Sequence, residues 1–149
     1  HTNDAPSAVT RLYNMDVESY LVAASVRGVL AQRLVRKVCP SCKAPADLSA
    51  QETDTLAKLA AGLALPEQVF KGEGCSKCRN TGYRGRVGVY ELYVPDDESL
   101  NVVSRGGTLQ ELRDAARSSG CWTTLREDGL AKIASGMTTL EELLTATSA

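Results

Sequence analysis

Three features of the sequence predict a mixed α/β chain with a metal-stapled insertion and a helical C-terminal part. These are helical periodicity at both ends, an alternating run LAQRLVRKV over residues 30–38, and two Cys-x-x-Cys pairs. At 149 residues, 43% hydrophobic and 23% charged, the chain reads as one globular domain or two small ones. No apolar run approaches the roughly 18 residues of a membrane span. The 17 Lys+Arg and 18 Asp+Glu nearly cancel, which argues against nucleic acid as a partner. Charge is nonetheless segregated: residues 1–26 carry −2, residues 27–86 carry +6 and residues 87–149 carry −5. The basic middle suits the acidic C-terminal third of the same chain, phosphate, or an anionic lipid surface.

The first helix opens at Asn3 or Asp4 as N-cap, tolerates Pro6 in its first turn and aligns Ala8, Val9, Leu12 and Met15 on one face. Helical spacing resumes from Val17 to Val29, and the strand 30–38 then leads into the first cysteine pair. Ser49 with Glu52 has capping-box spacing for a helix through about Leu59, after which AAGLALPEQ must turn. Gly82, Gly85 and Gly88 bracket a tight turn, and Val87 to Tyr93 reads as a strand that Pro95 ends. The remainder reads as helical, with cap signals at Thr108/Glu111, Thr124/Glu127 and Thr138 or Thr139 before Glu141 and Glu142. Arg126-Glu127-Asp128 reads as cap plus solvated face, and Cys121 as a buried small hydrophobe.

Cys39-Pro-Ser-Cys42 and Cys75-Ser-Lys-Cys78 carry the strongest chemical signal. A two-residue gap lets one tight turn aim two thiolates at a common ion, and two such turns complete a tetrahedron. A site closed by four cysteines has no open position for water, so the zinc it suits is structural. The rival reading, a redox pair, requires the motif to close a strand and open a helix, whereas CPSCKAP leads into a proline-bearing turn. Cys75 to Gly82 locally resembles one cysteine-rich repeat of Hsp40-type chaperones. With no secretory leader in the sequence, the cysteines are expected in a reducing compartment.

The segments HTNDAPSAVTRL, VLAQRLVRKVCPSC, GCSKCRNTGYRGRVGVYEL and TLREDGLAKIASGMTTLEELL occur in that order. Together they resemble the C-terminal part of the type II/type IV secretion-ATPase superfamily, above all the type II secretion ATPases (the GspE/PulE family). The type IV pilus extension ATPases are near neighbours. The resemblance implies the C-terminal portion of a RecA-like ATPase domain (1–38), an inserted tetracysteine zinc-binding subdomain (39–80), a turn and strand returning to the main domain (81–95) and a small C-terminal helical bundle (96–149). It makes His1-Thr2-Asn3-Asp4 the family's His box, with His1 catalytic at the nucleotide γ-phosphate. It places Arg11, Gln32 and Arg33 toward bound nucleotide and assigns zinc to Cys39, Cys42, Cys75 and Cys78. For the whole protein it implies a hexamer using ATP and Mg²⁺, peripheral to the cytoplasmic face of a bacterial inner membrane. There it would engage an inner-membrane platform protein and other cytoplasmic-membrane components, with Arg79, Arg84 and Arg86 as candidate contacts to anionic lipid. The contrasting reading is a stand-alone zinc-stabilised protein-binding module.

The 149 residues begin at His1, as a piece of a longer polypeptide would, and contain no GxxxxGK[ST]. Gly82 to Gly88 follows a cysteine pair and leads to a strand, whereas a phosphate loop joins strand to helix. The purified 149-residue chain is therefore expected to release no phosphate from ATP above background, as measured in a steady-state phosphate assay.

Overall fold

A computed structural model describes residues 4–147. Its elements are α1 (Ala5–Tyr13), α2 (Ser19–Ser25), β1 (Val29–Val38), β2 (Lys43–Ala46), α3 (Ala50–Leu59), β3 (Val69–Gly72), β4 (Tyr83–Tyr93), α4 (Asp97–Ser104), α5 (Leu109–Ser118), β5 (Trp122–Thr123), α6 (Leu125–Ala134) and α7 (Leu140–Thr147). The strands form a three-stranded sheet ordered β1-β4-β5 and a two-stranded sheet β2-β3. The chain divides into two compact units, His1–Ala31 with Glu91–Thr124 and Gln32–Tyr90 with Leu125–Ala149, and each has its own apolar core.

In the first unit Asp4 caps α1: its Oδ1 accepts the Ser7 N–H at 2.8 Å, and the Ser7 hydroxyl lies 3.2 Å from the Asp4 N–H. Its other carboxylate oxygen accepts a bond from Nε of Arg113 on α5 at 2.8 Å. Val9, Val22, Val102, Val103, Leu112, Ala116, Tyr93 and Trp122 make the core. Thr108 and Glu111 cap α5 reciprocally, as their spacing predicts. The first helix ends at Tyr13, because Asn14 caps it and Asp16 turns to φ 60°; Met15 is left 65% exposed rather than on the apolar face. The second helix is also shorter than its periodicity predicts. Val26 is extended (φ −69°, ψ 124°), and a β-branched pair around Gly28 already suits β1, which starts at Val29. Trp122 and Thr123 are not helical: they pair antiparallel with Tyr93 and Leu92, seating the indole in the core. Cys121 is half-buried against that core, its Sγ 3.6 Å from the Ser99 hydroxyl.

In the second unit Val35, Leu56, Ala60, Val69, Val89, Leu130, Ile133, Leu140 and Leu143 form the core. The Ser49/Glu52 capping box opens α3 as predicted. Strand β1 buries Val35 while Leu30 and Leu34, of the opposite parity, are more than half exposed. Strand β4 begins at Tyr83, earlier than predicted, and absorbs Gly85 at φ 78°, so the glycines lie at and within the strand instead of bracketing a turn before it. The β2-β3 ladder, Lys43↔Gly72 to Ala46↔Val69, was not foreseen in a four-residue KAPA segment. Asp128 does more than solvate a helix face: it accepts the Tyr90 N–H of β4 at 2.7 Å and pairs with Lys132.

The first turn of α7 is tied to β1. Glu142 accepts the Arg36 backbone N–H at 2.7 Å and two guanidinium bonds at 2.6 and 2.9 Å, while the buried Thr138 hydroxyl donates to the Arg36 carbonyl at 2.9 Å. Burial works to raise the Glu142 carboxyl, and the hydrogen bonds and charge of Arg36 outweigh it, so its pKa falls below the ordinary 4.5. A carboxyl lowered on folding contributes stability that is present above its ordinary value and lost as pH falls through the lowered one. Glu142→Gln is expected to cost about 1 kcal/mol at neutral pH, discounted for a half-exposed Arg36, and the deficit is expected to shrink under acid. Urea unfolding midpoints of both proteins, followed from pH 7 down through and below the ordinary carboxylate range, check this.

Candidate metal centre

Strand β1 carries the chain directly into Cys39, and the Cys42 N–H folds back onto the Cys39 carbonyl at 3.3 Å, closing the first turn. The second pair sits on a single 3₁₀ turn, Ser76–Cys78. Arg79 and Asn80 follow in the left-handed region, at φ 55° and 62°, so that the Asn80 N–H returns to the Cys75 carbonyl at 2.9 Å. The Thr81 hydroxyl donates to the Cys78 carbonyl at 2.7 Å. Each knuckle is therefore held by its own backbone.

The four sulfurs lie within 4.8 Å of one another. Cys39 to Cys75 is 3.9 Å, Cys42 to Cys78 is 3.8 Å and Cys75 to Cys78 is 3.7 Å. A metal–sulfur bond of about 2.3 Å gives a tetrahedron with edges of about 3.8 Å; three of the six edges match it and all six lie within 4.8 Å, so the four sulfurs could hold one metal ion. Cys39 and Cys78 are buried, and Cys42 and Cys75 are partly exposed. The backbone supplies donors to sulfur: the Cys75 N–H at 3.2 Å and the Gly82 N–H at 3.3 Å both point at Cys78 Sγ. Burial works to raise the Cys78 thiol, but these N–H groups and the Cys75 and Cys42 thiols bring it down to about 6. Cys42 is pushed up to about 12, first by burial and then by its neighbouring thiols, despite a backbone hydrogen bond from Gly74. One thiolate is thus prepared by the protein, while a bound cation would draw off the remaining protons.

Two glycines let the chain entering the second knuckle pass close to the chain leaving it. A Cβ on Gly72 would collide with the carbonyl carbon and oxygen of Gly82, and one on Gly82 would strike the carbonyl of Gly72. Gly82 is also the hinge of the site, since its carbonyl accepts the Cys39 N–H at 2.9 Å while its own N–H donates to Cys78 Sγ.

The other residues singled out by the sequence fall on different elements. His1 lies outside the described residues. Arg11 is exposed on α1 in the first unit, while Gln32 and Arg33 are adjacent on β1 in the second. Arg33 donates to the Gln32 carbonyl at 3.1 Å, and the two side chains point to opposite faces of the strand. Arg79, Arg84 and Arg86 are exposed. Two residues escaped the sequence reading: Gly72, whose role depends on a neighbour ten residues away, and Glu91, which is 3% exposed. For Glu91 a signal existed, because the alternation of β4 puts it on the face of Val89 and Tyr93, an acid in an apolar register.

Comparison with known proteins matches residues 1–145 to the family model described as type II/IV secretion system protein. The type II secretion system protein HxcR of Pseudomonas aeruginosa is 46% identical over 147 residues, 99% of this chain and 27% of its own length. The type IV pilus assembly ATPase TfpB of Acinetobacter baylyi is 44% identical over 144 residues, covering 97% of this chain and 24% of that protein. The type IV pilus assembly ATPase PilB of Thermus thermophilus is 45% identical over 99% of this chain and 16% of its own. The chain thus spans about a quarter or less of these relatives.

Gly72→Ala is expected to push apart the two arms of the second knuckle and weaken metal binding about 10- to 100-fold, the range for loss of groups supporting metal ligands. Competition against a colorimetric chelator measures it. An unchanged affinity would show that the glycine contact does not set the sulfur positions.

Proposed function

The chain belongs to the type II/IV secretion system protein family, and we propose that it is the C-terminal part of an ATPase that powers protein secretion or pilus assembly. The observation that carries this reading is the match over residues 1–145, together with identities of 44–46% to relatives named for both systems. In the whole protein, ATP and Mg²⁺ would be gripped largely outside these 149 residues, which lack a phosphate loop. His1 of the HTND box would sense the γ-phosphate or position the attacking water, with Arg11, Gln32 and Arg33 on the nucleotide side. Subunits would assemble as a hexamer at the cytoplasmic face of the inner membrane against a platform protein. Among the described residues no helix is long and apolar enough to cross a membrane, which fits attachment through partners.

We assign zinc to Cys39, Cys42, Cys75 and Cys78, whose separations and soft donors suit it. Bound there it would supply cross-linking and no reaction chemistry, because all four positions are taken by sulfur. It would join β1 to the segment before β4 and so staple the second unit.

Elemental analysis of natively folded, reduced protein is expected to find one zinc per chain, and chelation to lower the thermal midpoint. Absence of stoichiometric metal would overturn the zinc assignment. In the whole protein, His1→Ala is expected to reduce kcat for ATP by about 100-fold or more, as loss of a group acting on the reacting phosphate would. Full turnover in that variant would overturn the role of His1, and no turnover of ATP by the whole wild-type protein would overturn the ATPase reading.

A further inference from the structure

The first cysteine knuckle is bounded on both sides by residues that hold the connection between α6 and α7. Val38, the residue before Cys39, donates its N–H to the Met137 carbonyl at 2.9 Å. Lys43, the residue after Cys42, donates from Nζ to the Ser135 carbonyl at 3.0 Å. The second knuckle reaches the same connection through Tyr83. That residue follows Gly82, whose N–H meets Cys78 Sγ, and the Tyr83 hydroxyl lies 3.0 Å from the hydroxyl of Thr139, the residue before α7.

The connection is a helix ending of the kind that gains from such support. Gly136 turns to φ 66°, its N–H bonding to the Ile133 carbonyl and that of Met137 to the Lys132 carbonyl, each at 2.9 Å. The last carbonyls of a helix have no partner within it, and a cation is favoured beside them. Lys43 supplies that cation while lying 4.3 Å from the centre of the Phe70 ring. A Cβ on Gly136 would meet the Lys43 side chain and the Phe70 ring, so the glycine also leaves room for the lysine. The start of α6 is fastened elsewhere, by Asp128 of its first turn to the Tyr90 N–H, well along β4 from the knuckle.

We propose that metal in the tetracysteine centre governs the α6–α7 connection, residues 135–139. A loaded centre holds Val38, Lys43 and Tyr83 at fixed spacing and so keeps the end of α6 closed, while the body of the helix is indifferent to it. This rests on the metal assignment made under Proposed function. Because each knuckle is already closed by its own backbone hydrogen bonds, the cation changes how often the connection opens and not where it lies.

The test is amide hydrogen exchange, followed by NMR in the reduced 149-residue chain with zinc bound, after its removal with a chelator and after Zn²⁺ is returned. Gly136 and Met137 are expected to exchange about 10-fold faster without metal and to recover when it is restored. Gly129 and Leu130, in the buried middle of α6, are expected to change less than about twofold. In the loaded protein, Lys43→Met combined with Tyr83→Phe removes both side-chain links and keeps the ring over which Arg36 lies. This pair is expected to speed exchange at Gly136 and Met137 about 10-fold, with zinc affinity within about threefold of the parent. Metal removal from it is then expected to add less than about threefold, through the Val38 bond that remains. Should the pair not fold, Lys43→Met alone carries the same test. Unchanged exchange at Gly136 and Met137 once stoichiometric zinc has been removed, equal acceleration in the middle of α6, or an undiminished metal response in the variant would each overturn the proposal and leave the zinc assignment standing. A chain that takes up no zinc would overturn the assignment and the proposal together.

Discussion

Four thiols can share one cation only if two separate backbone turns approach to within a few ångströms; here the Cys39 N–H on the Gly82 carbonyl and the Glu73 N–H on the Cys42 carbonyl join the two turns, and close approach of Gly72 to Gly82 closes the second. Neither position tolerates a Cβ, since each would strike the backbone of the other. The rest of the centre follows from these contacts. Because the Gly82 carbonyl holds Cys39 and its N–H holds Cys78, one residue orients a cysteine from each knuckle. Three sulfur separations of 3.7–3.9 Å, with all four sulfurs within 4.8 Å, come from backbone that is already organised, and a bound metal would have little rearrangement to impose.

The two units solve the problem of small size in different ways. A short chain buries too little apolar surface to hold many elements by packing alone. The second unit gathers the tetracysteine centre, and fastens α7 with the Arg36–Glu142 pair and α6 with the Asp128 contact to Tyr90. The first unit has no such cluster among its described residues, and relies on polar groups that reach from one element to the backbone ends of another. Asp4, Arg113 and Glu91 converge in this way on a helix of nine residues. A helix that short has little intrinsic stability in water, and its start is defined by these partners.

Local features were legible in the sequence. The cysteine spacing gave the knuckles, and Asp4, Ser49 and Thr108 gave helix starts, because a cap and the turn it closes lie within four residues. Features that depend on distant partners were not. The KAPA segment has neither β-branched nor aromatic residues and becomes a strand only by pairing with residues 69–72. Trp122 and Thr123 are strand only because β4 is there to receive them. Strand β1 was recognised from its alternation, yet its leucines face outward and Val35 inward, a choice of parity made by the surrounding core. The spacing of glycines 82, 85 and 88 predicts a turn; in the structure the first lies against the cysteine cluster and the other two lie inside β4. Of the candidate functional residues, the four cysteines came together as read, and His1 lies outside the described residues.

Trp122 is the chain's one tryptophan, and it sits wholly within the first unit, its indole bonded to Glu91 and its ring beneath Arg117. The four sulfurs sit wholly within the second. Each half of the molecule therefore carries its own chromophore: indole emission follows one, and the thiolate-to-metal absorption of a cobalt-substituted centre follows the other. Loosening of either half becomes visible in solution without attaching a dye to either.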